Sequence, residues 1–259
     1  MVNKLDNQEA QIKRKKIMEV HKHPHHITHK KKWTEYVLEF FMLFLAVFLG
    51  FVAENIREAS VERHQEKEYI ISIVEDIKSD TAQSNRVLRN LNRTELRIDS
   101  LLQALASPDV YANSNNAYRL WTKTMGFSDF VSNDRTIQQL KNNGGLRLIL
   151  NKAVSDSIMR YDQIVRNFYA QADLMNRALA DQVIYSRLFD FIAFKKNQNA
   201  ETPVALPVES RKLLNEAFAN RKVWQFGISV LVSQLEQVNQ TGTRTVKFIQ
   251  DQYHLENEK

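Results

Sequence analysis

The sequence predicts an all-α protein, in which one N-terminal transmembrane helix continues into a long amphipathic helix and an antiparallel helical bundle follows. Three observations predict this fold class. An unbroken apolar run of 14 residues, counting Gly50, extends from Phe40 to Ala53. Apolar residues then recur with helical spacing through much of the remaining chain. Six glycines and four prolines in 259 residues favour long helices over a sheet with many turns.

The apolar run reaches the length of a membrane span when its N-terminal flank is included. A bilayer core needs roughly 20 residues. Counting from Trp33 to the end of the run gives 21 positions, which correspond to about 30 Å of helix. Trp33 and Tyr36 belong to the residue types that anchor helices at the membrane interface. A buried helix of a soluble protein would instead need a large core on most sides. The sequence therefore predicts a transmembrane helix over residues 33–54.

The excess positive charge lies entirely before this segment. The 32 residues before Trp33 contain nine Lys or Arg and three acidic residues, a net of +6, which equals the net charge of the whole chain. Three lysines, Lys30, Lys31 and Lys32, stand directly before the span and should attract anionic headgroups of the lipid bilayer. The positive-inside rule places this side in the cytoplasm. A cleaved signal peptide fits less well. Its n-region is usually short, whereas 32 residues precede Trp33 here. Its cleavage site needs small residues, whereas Phe48 or Phe51 would occupy such a position in this chain.

These features predict three parts and a location. Residues 1–32 form a basic, His-rich cytoplasmic tail, residues 33–54 a single-pass inner-membrane anchor, and residues 55–259 an extracytoplasmic, periplasmic helical bundle. The chain from Trp33 onward has no net charge, so it lacks the electrostatic attraction that supplies most non-specific affinity for nucleic acid. The absence of cysteine excludes disulfides, thiol catalysis and cysteine-ligated metals.

A heptad pattern follows the span. Eight of eleven positions from Ile70 to Leu105, spaced alternately by four and three residues, are apolar. Pro108 should end this helix. A second pattern of eight apolar positions, from Val154 to Leu179, predicts a helix over about residues 146–194.

A third helix is predicted towards the C-terminus, with an apolar stripe from Trp224 to Tyr253. Gly242 should weaken or bend it, by about 1 kcal/mol relative to alanine. These long helices and several shorter ones favour an antiparallel bundle. An extended intermolecular coiled coil is the alternative, since each stripe could also pack on a copy of itself.

Two segments resemble a known family. HHITHKKKWTEYVLEFFMLFLAVFLGFVAE, followed by KEYIISIVEDIKSDT, resembles a large family of uncharacterised single-pass membrane proteins from Bacteroidota. The later stretch TIQQLKNNGGLRLILNKAVSDSIMRYD is similar to a second segment shared in that family. The resemblance implies a helical protein in the envelope of Gram-negative cells. The family has no assigned activity, so the resemblance implies no functional residues.

The tail contains a histidine cluster that could hold a metal ion. Its members are His21, His23, His25, His26 and His29. Imidazoles this close could bind zinc, nickel or copper. Pro24 prevents one helix face from presenting them, and the nearby lysines repel a cation. The alternative is a flexible juxtamembrane tail that is partly protonated below about pH 6.5. No other cofactor is expected.

One face of the span has the features of a helix contact. Its heptad-spaced members are Glu39, Leu43, Ala46, Gly50 and Ala53. Ala46 and Gly50 form a small-xxx-small pair that allows close helix approach. Identical spans could associate through this face, with Glu39 lining the contact or a narrow aqueous vestibule. Alternatively, Glu39 snorkels to the cytoplasmic interface and pairs with a lysine.

The acidic residues after the span have no evident chemical role. Glu75, Asp76 and Asp80 are expected on a solvated helix face, and Ser132-Asn133-Asp134 is expected to cap a short helix. No motif for phosphate binding or nucleophilic catalysis occurs. The sequence thus favours a non-catalytic, membrane-anchored interaction or scaffold protein that binds itself or another envelope protein. A signal-transmitting sensor and an oligomeric pore are the alternatives.

Overall fold

The computed structural model describes residues 32–142, 144–197 and 202–255. The α-helices are α1 (Trp33–Leu105), α2 (Asn115–Lys123), α3 (Arg135–Asn142), α4 (Lys152–Tyr185), α5 (Phe191–Lys196) and α6 (Ser210–Tyr253). Short 3₁₀ helices cover Pro108–Tyr111, Gly145–Leu148 and Ser186–Leu188. These described ranges contain no strand, which confirms the all-α fold class. The chain divides into a unit Met1–Arg57 and a unit Glu58–Lys259.

The second unit is a bundle built on the amphipathic part of α1. The predicted heptad consists of two rows, each made of positions seven residues apart. The first row is buried throughout, and its members are Ile70, Ile77, Ser84, Leu91, Ile98 and Leu105. Two members of the predicted second row, Val74 and Leu102, are buried as well, but the row displaced from it by one position is buried throughout. It consists of Glu66, Ile73, Asp80, Val87, Thr94 and Leu101. Apolar content alone favoured the neighbouring row, because the observed row contains Glu66 and Asp80, whose carboxylates accept hydrogen bonds from other parts of the bundle.

Helix α6 runs antiparallel to both other long helices. Against α4, Ser157 Oγ and Thr245 Oγ1 lie 3.2 Å apart, and Gly227 faces Met175 much nearer to the C-terminus of α4. Against α1, Gln225 Nε2 donates to Asp99 at 2.6 Å, and Asn239, later in α6, donates to Ser84 Oγ, earlier in α1, at 2.7 Å. These contacts confirm the predicted antiparallel bundle.

Helices α1 and α4 therefore run in the same direction, and the chain between them must return along α1. Gln139 Nε2 donates to the Tyr69 hydroxyl at 3.1 Å, and Leu150 N donates to Glu66 at 2.7 Å. Residues that come later in the chain thus lie beside earlier residues of α1. We call the described residues 124–142 the return arm.

The boundaries of α4 are narrower than the predicted range of about 146–194. Asn151 caps its N-terminus by accepting from the backbone N–H groups of Ala153 at 3.1 Å and Val154 at 3.3 Å. The helix ends at Tyr185, after which a 3₁₀ turn leads to Asp190, the N-cap of α5. Seven of the eight predicted stripe positions are buried: Val154, Ile158, Tyr161, Val165, Phe168, Ala172 and Met175.

Helix α6 continues through Gly242 without a break. A Cβ atom at this position would lie 2.8 Å from Thr81 Cγ2, 3.1 Å from Tyr161 Cε2 and 3.2 Å from Ile77 Cγ2. Gly242 therefore permits the close approach of α1, α4 and α6. The helices share a core within one chain, whose largest cluster includes Ile77, Leu91, Phe168, Ile228 and Leu235. This packing corresponds to the intramolecular bundle and not to the alternative extended coiled coil.

Candidate functional site

The apolar segment of α1 is exposed along its whole length. Every residue from Phe40 to Ala53 is exposed. Within the described part of the chain, α1 is the helix long and apolar enough to cross a membrane, and none of its apolar window is buried. The helix lies near the N-terminus. A contiguous apolar surface of this size normally marks contact with lipid or another protein.

The face that contains Ala46 and Gly50 and the face that carries three stacked phenylalanines are different faces of this segment. The predicted contact face is exposed at all five positions, Glu39, Leu43, Ala46, Gly50 and Ala53. A Cβ atom at Gly50 would meet nothing within 4 Å, and a shallow depression around it is lined by Val47, Phe51 and Glu54. The rings of Phe40, Phe44 and Phe48 stack on another face, with centroids 6.4 and 6.1 Å apart. The depression is a place where a second helix could approach closely.

The predicted anchors stand at the start of the same helix. Trp33 is 80 % exposed and Tyr36 is 57 % exposed. Lys32 is also exposed. Two more lysines and the histidine cluster lie outside the described residues: Lys30, Lys31, His21, His23, His25, His26 and His29. Their roles in lipid and metal binding stay predictions. Among the residues that are described, no group of three or more His, Asp or Glu is placed to hold a metal ion.

The bundle contains a pair of buried carboxylates that contradicts the expected solvated face. Asp76 is 7 % exposed and Asp80 is 2 % exposed, whereas Glu75 is exposed as expected. Asp76 accepts from Asn133 Nδ2 and Thr136 Oγ1, each at 2.6 Å. The expectation failed because the return arm covers this side of α1.

Asp80 is held by more donors than Asp76. It accepts from Asn133 N and from the Tyr161 hydroxyl, each at 2.7 Å, and from Ser132 Oγ. The Tyr169 hydroxyl accepts from Ser132 N at 2.7 Å. We call Asp76, Asp80, Ser132, Asn133, Thr136 and Tyr161 the carboxylate clamp.

The donors of the carboxylate clamp are all neutral groups. Burial raises the pKa of the Asp80 carboxyl above its usual value, and the three hydrogen bonds to it act in the opposite direction. Burial also raises the pKa of Tyr161, which keeps this hydroxyl protonated as a donor. Every carboxylate oxygen already accepts a hydrogen bond within the chain, so the clamp is arranged to hold the return arm on α1.

Two further buried acids join other parts of the bundle. Glu66 is 7 % exposed and accepts from Leu150 N at 2.7 Å and the Tyr253 hydroxyl at 2.6 Å. It thereby connects α1 to the segment before α4 and to the end of α6. Asp162 pairs with Lys141 at 3.1 Å and with Arg166, which joins α4 to α3.

A groove lined by amide, arginine and aromatic side chains lies beside α2. Its lining includes Asn115, Asn116, Arg119, Phe194 and Asn197. Asn116 Oδ1 accepts from Arg119 at 2.9 Å. Asn115 Nδ2 donates to the backbone carbonyl of Thr202 at 3.0 Å. Asn115 thus connects α2 with the chain before α6, whereas the Asn116–Arg119 bond lies within α2.

Sequence reasoning missed the carboxylate clamp, although one signal for it was present. Asp80 occupies the same heptad row as Ile73 and Val87, seven residues from each. A polar residue in an otherwise buried row requires a buried partner. The expected capping segment Ser132-Asn133-Asp134 does lie directly before helix α3, which ends at Asn142 as predicted, and Gln138 N donates to the Asp134 carbonyl at 2.9 Å. The side chains of Ser132 and Asn133, however, bond to α1.

Comparison with models of protein families, with curated proteins and with solved structures found no match to this chain. The resemblance to single-pass membrane proteins therefore stays a prediction.

Proposed function

We propose that this chain is a membrane-anchored helical interaction or scaffold protein of the cell envelope. The observation that carries the proposal is the exposed apolar segment from Phe40 to Ala53. Each large apolar side chain left in water forgoes about 1.5–3 kcal/mol that burial would provide. Because the segment contains many such side chains, its total free-energy cost in water is large, and contact with lipid would remove this cost. The bundle that follows is held together by its own core and is available to bind a partner.

The charge distribution supports one orientation of the anchor. The net charge of +6 lies before Trp33, and the rest of the chain is balanced. The tail then lies in the cytoplasm and the bundle in the periplasm, with the span in the inner membrane. The bundle is a binding domain without catalysis in this proposal.

The absence of cysteine makes the orientation directly testable. We would introduce a single cysteine either at exposed Ser100 (Ser100→Cys) or in the tail (Asn3→Cys). Intact spheroplasts would then be treated with a membrane-impermeant maleimide. We expect labelling of the Ser100→Cys chain alone, and labelling of both after lysis. The unsubstituted chain is the matched control for background.

Two outcomes would overturn this part of the proposal. Labelling of the Asn3→Cys chain in intact spheroplasts, with protection of the Ser100→Cys chain, would reverse the orientation. Release of the chain from membranes by carbonate would exclude a transmembrane anchor.

The face around Gly50 supports association of identical spans. It combines small residues with an indentation in the helix surface, and close packing is the main source of helix affinity in lipid. The test is disulfide formation in native membranes by single-cysteine chains. Ala46→Cys lies on the proposed face, and Val52→Cys lies on the opposite face as its control.

We expect disulfide-linked dimers from Ala46→Cys and few from Val52→Cys. Equal crosslinking at both positions would indicate random collision and contradict a specific face. Absence of crosslinking at both would leave a different envelope protein as the partner, which crosslinking to lysines of neighbouring proteins would detect.

Signal transmission is a second candidate function. It is supported by the extent of α1, which is one uninterrupted helix over Trp33–Leu105. A sensor would use such a helix to convey movement from the bundle to the tail. Deletion of residues 1–32 should then abolish the response while membrane insertion persists, whereas a pure scaffold would keep its partner.

A further inference from the structure

The groove beside α2 has room for a small molecule. Its volume is about 380 Å³, and ligand pockets in proteins occupy about 300–1,000 Å³. Besides the lining residues named above, Tyr118 and Thr122 border it. All of them belong to α2, to α5 or to Asn197, the C-cap of α5. We call this cavity the α2 groove.

The walls of the α2 groove are held by hydrogen bonds to the chain before α6. Ser114, which precedes α2, donates its backbone N–H and its hydroxyl to the carbonyl oxygen of Val204, at 2.8 and 2.7 Å. Asn115 Oδ1 accepts from Val204 N at 3.1 Å, and Asn197 Nδ2 donates to the carbonyl of Thr202. The groove is therefore formed without a ligand, and binding need not order its walls.

One wall of the groove is aromatic. The rings of Tyr118 and Phe194 stack with centroids 3.7 Å apart. Phe189 and Phe191 contact the Tyr118 ring edge to face, with centroids 5.6 and 5.4 Å away. Tyr118 is only half-buried, so part of it is left for a ligand. This wall suits an aromatic ring, because offset and edge-to-face ring contacts add to the free energy of apolar burial.

Arg119 supplies the groove with unused hydrogen-bond donors. It is exposed, and within the described part of the chain it makes a single hydrogen bond, from Nη2 to Asn116 Oδ1. A guanidinium has five N–H groups in a planar fork. Whichever Nη2 hydrogen Asn116 accepts, one edge of the fork keeps two parallel donors.

The charge around the groove is positive. Helices α2 and α5 contain no acidic residue and four basic ones, Arg119, Lys123, Lys195 and Lys196. The three lysines are exposed and do not line the groove. Asp190, directly before α5, accepts from the backbone N–H groups of Ile192 and Ala193. The local field therefore attracts an anion.

We propose that the α2 groove binds a small organic acid in which a carboxylate is joined to an aromatic ring. The open edge of Arg119 matches the two oxygens of a carboxylate, and the wall of Tyr118 and Phe194 accommodates the ring. One lining cation balances one negative charge, which is what a carboxylate carries, whereas a phosphate monoester carries about 1.5–2 at neutral pH. The proposal is independent of the membrane anchor and of any partner protein.

The test is equilibrium dialysis of radiolabelled phenylacetate against the full-length chain in lipid nanodiscs, with empty nanodiscs as the blank. We expect saturable binding at one site per chain. Acetate lacks the ring, and phenylethanol lacks the charge. Each should displace phenylacetate only at concentrations about tenfold higher or more than unlabelled phenylacetate requires.

Substitutions at exposed positions test the location of the site. Arg119→Gln removes the charge and should weaken phenylacetate binding by about tenfold or more. Thr122→Trp places a large side chain in the groove and should prevent binding. Arg160→Gln removes an exposed arginine of α4 that does not line the groove, and it should bind as the unsubstituted chain does. Circular dichroism should show the same thermal midpoint for all of these chains, because the substituted side chains lie on the surface.

Three results would overturn the proposal. The first is the absence of saturable binding above the blank. The second is unchanged binding by both the Arg119→Gln and Thr122→Trp chains, which would place the ligand elsewhere. The third is displacement by acetate or phenylethanol as effective as that by phenylacetate, which would remove the need for the ring or for the carboxylate. This comparison uses the unsubstituted chain, so it decides the matter even if a variant fails to fold.

Discussion

At the scale of single residues, Asp80 shows how buried charge can specify a packing arrangement. It is 2 % exposed and accepts hydrogen bonds from Ser132, Asn133 and Tyr161. These donors come from the return arm and from α4, so one side chain positions two elements on α1. Hydrogen bonds to an ionised group are stronger than those between neutral groups.

Truncation of this side chain should destabilise the bundle. Asp80→Ala leaves buried donors on the return arm and α4 without an acceptor, at about 1–3 kcal/mol for each unsatisfied group. We expect a loss of about 3 kcal/mol or more in the free energy of unfolding, measured by urea titration. Glu75→Ala removes an exposed acid from the same helix and should change it by about 0.5 kcal/mol or less. Equal effects of both substitutions would contradict a role for the clamp.

The stability contributed by Asp80 should depend on pH. Burial raises the pKa of its carboxyl in the folded state above the ordinary value of 3.8. The folded chain therefore binds this proton more tightly than the unfolded chain. The contribution of Asp80 to the free energy of unfolding is most favourable below the pKa that its carboxyl has in the unfolded chain. It is lost as pH rises through the pKa of this carboxyl in the folded chain.

The measurement compares the free energies of unfolding of the unsubstituted chain and Asp80→Asn across acidic pH. Relative to the asparagine variant, the unsubstituted chain should lose stability as pH rises through this window. A difference that grows with pH would show that the hydrogen bonds outweigh desolvation and that the folded-state pKa is lowered.

At the scale of helices, α6 depends on a residue that sequence reasoning treated as a weakness. Gly242 lies where α1 and α4 approach α6, within 3.2 Å of three side-chain atoms if a Cβ atom is added. The intrinsic cost of glycine in a helix, about 1 kcal/mol, is outweighed by the close packing that it permits.

Two alanine substitutions in α6 should therefore have different effects. Gly242→Ala would press a methyl group against Thr81, Tyr161 and Ile77, and overpacking of this kind costs about 1–3 kcal/mol. Gly227→Ala meets only the flexible side chain of Met175, which can move aside. We expect a lower thermal midpoint for Gly242→Ala and little change for Gly227→Ala. A rise in the midpoint of Gly242→Ala would show that helix propensity prevails.

At the scale of the whole molecule, the chain consists of two units with different surfaces. Exposed apolar residues are contiguous in the first unit, from Phe40 to Ala53. The second unit buries its apolar stripes against each other in a common core. Its stability therefore comes from contacts within Glu58–Lys259.

A chain that begins at Glu58 should be soluble and helical without detergent. It retains the carboxylate clamp and the core, and it lacks the exposed apolar segment. Size-exclusion chromatography and far-ultraviolet circular dichroism would check this expectation. Aggregation or loss of helix, with the full-length chain folded in nanodiscs, would show that the bundle needs the first unit.

The sequence by itself determined the all-α class, the apolar segment and most positions of the long stripes. Stripe positions such as Ile77, Phe168 and Leu235 are buried as predicted, because helical periodicity is a local property that neighbouring residues express directly.

Only the tertiary structure decided where the polar residues lie. Asp80 and Gly242 have their roles because of contacts with residues far away in the chain. Burial of a polar group depends on which element covers it. The spacing of neighbouring residues in the sequence does not indicate which distant element this is. The row of α1 that contains Asp80 is buried for the same reason, since the return arm and the other helices pack against it.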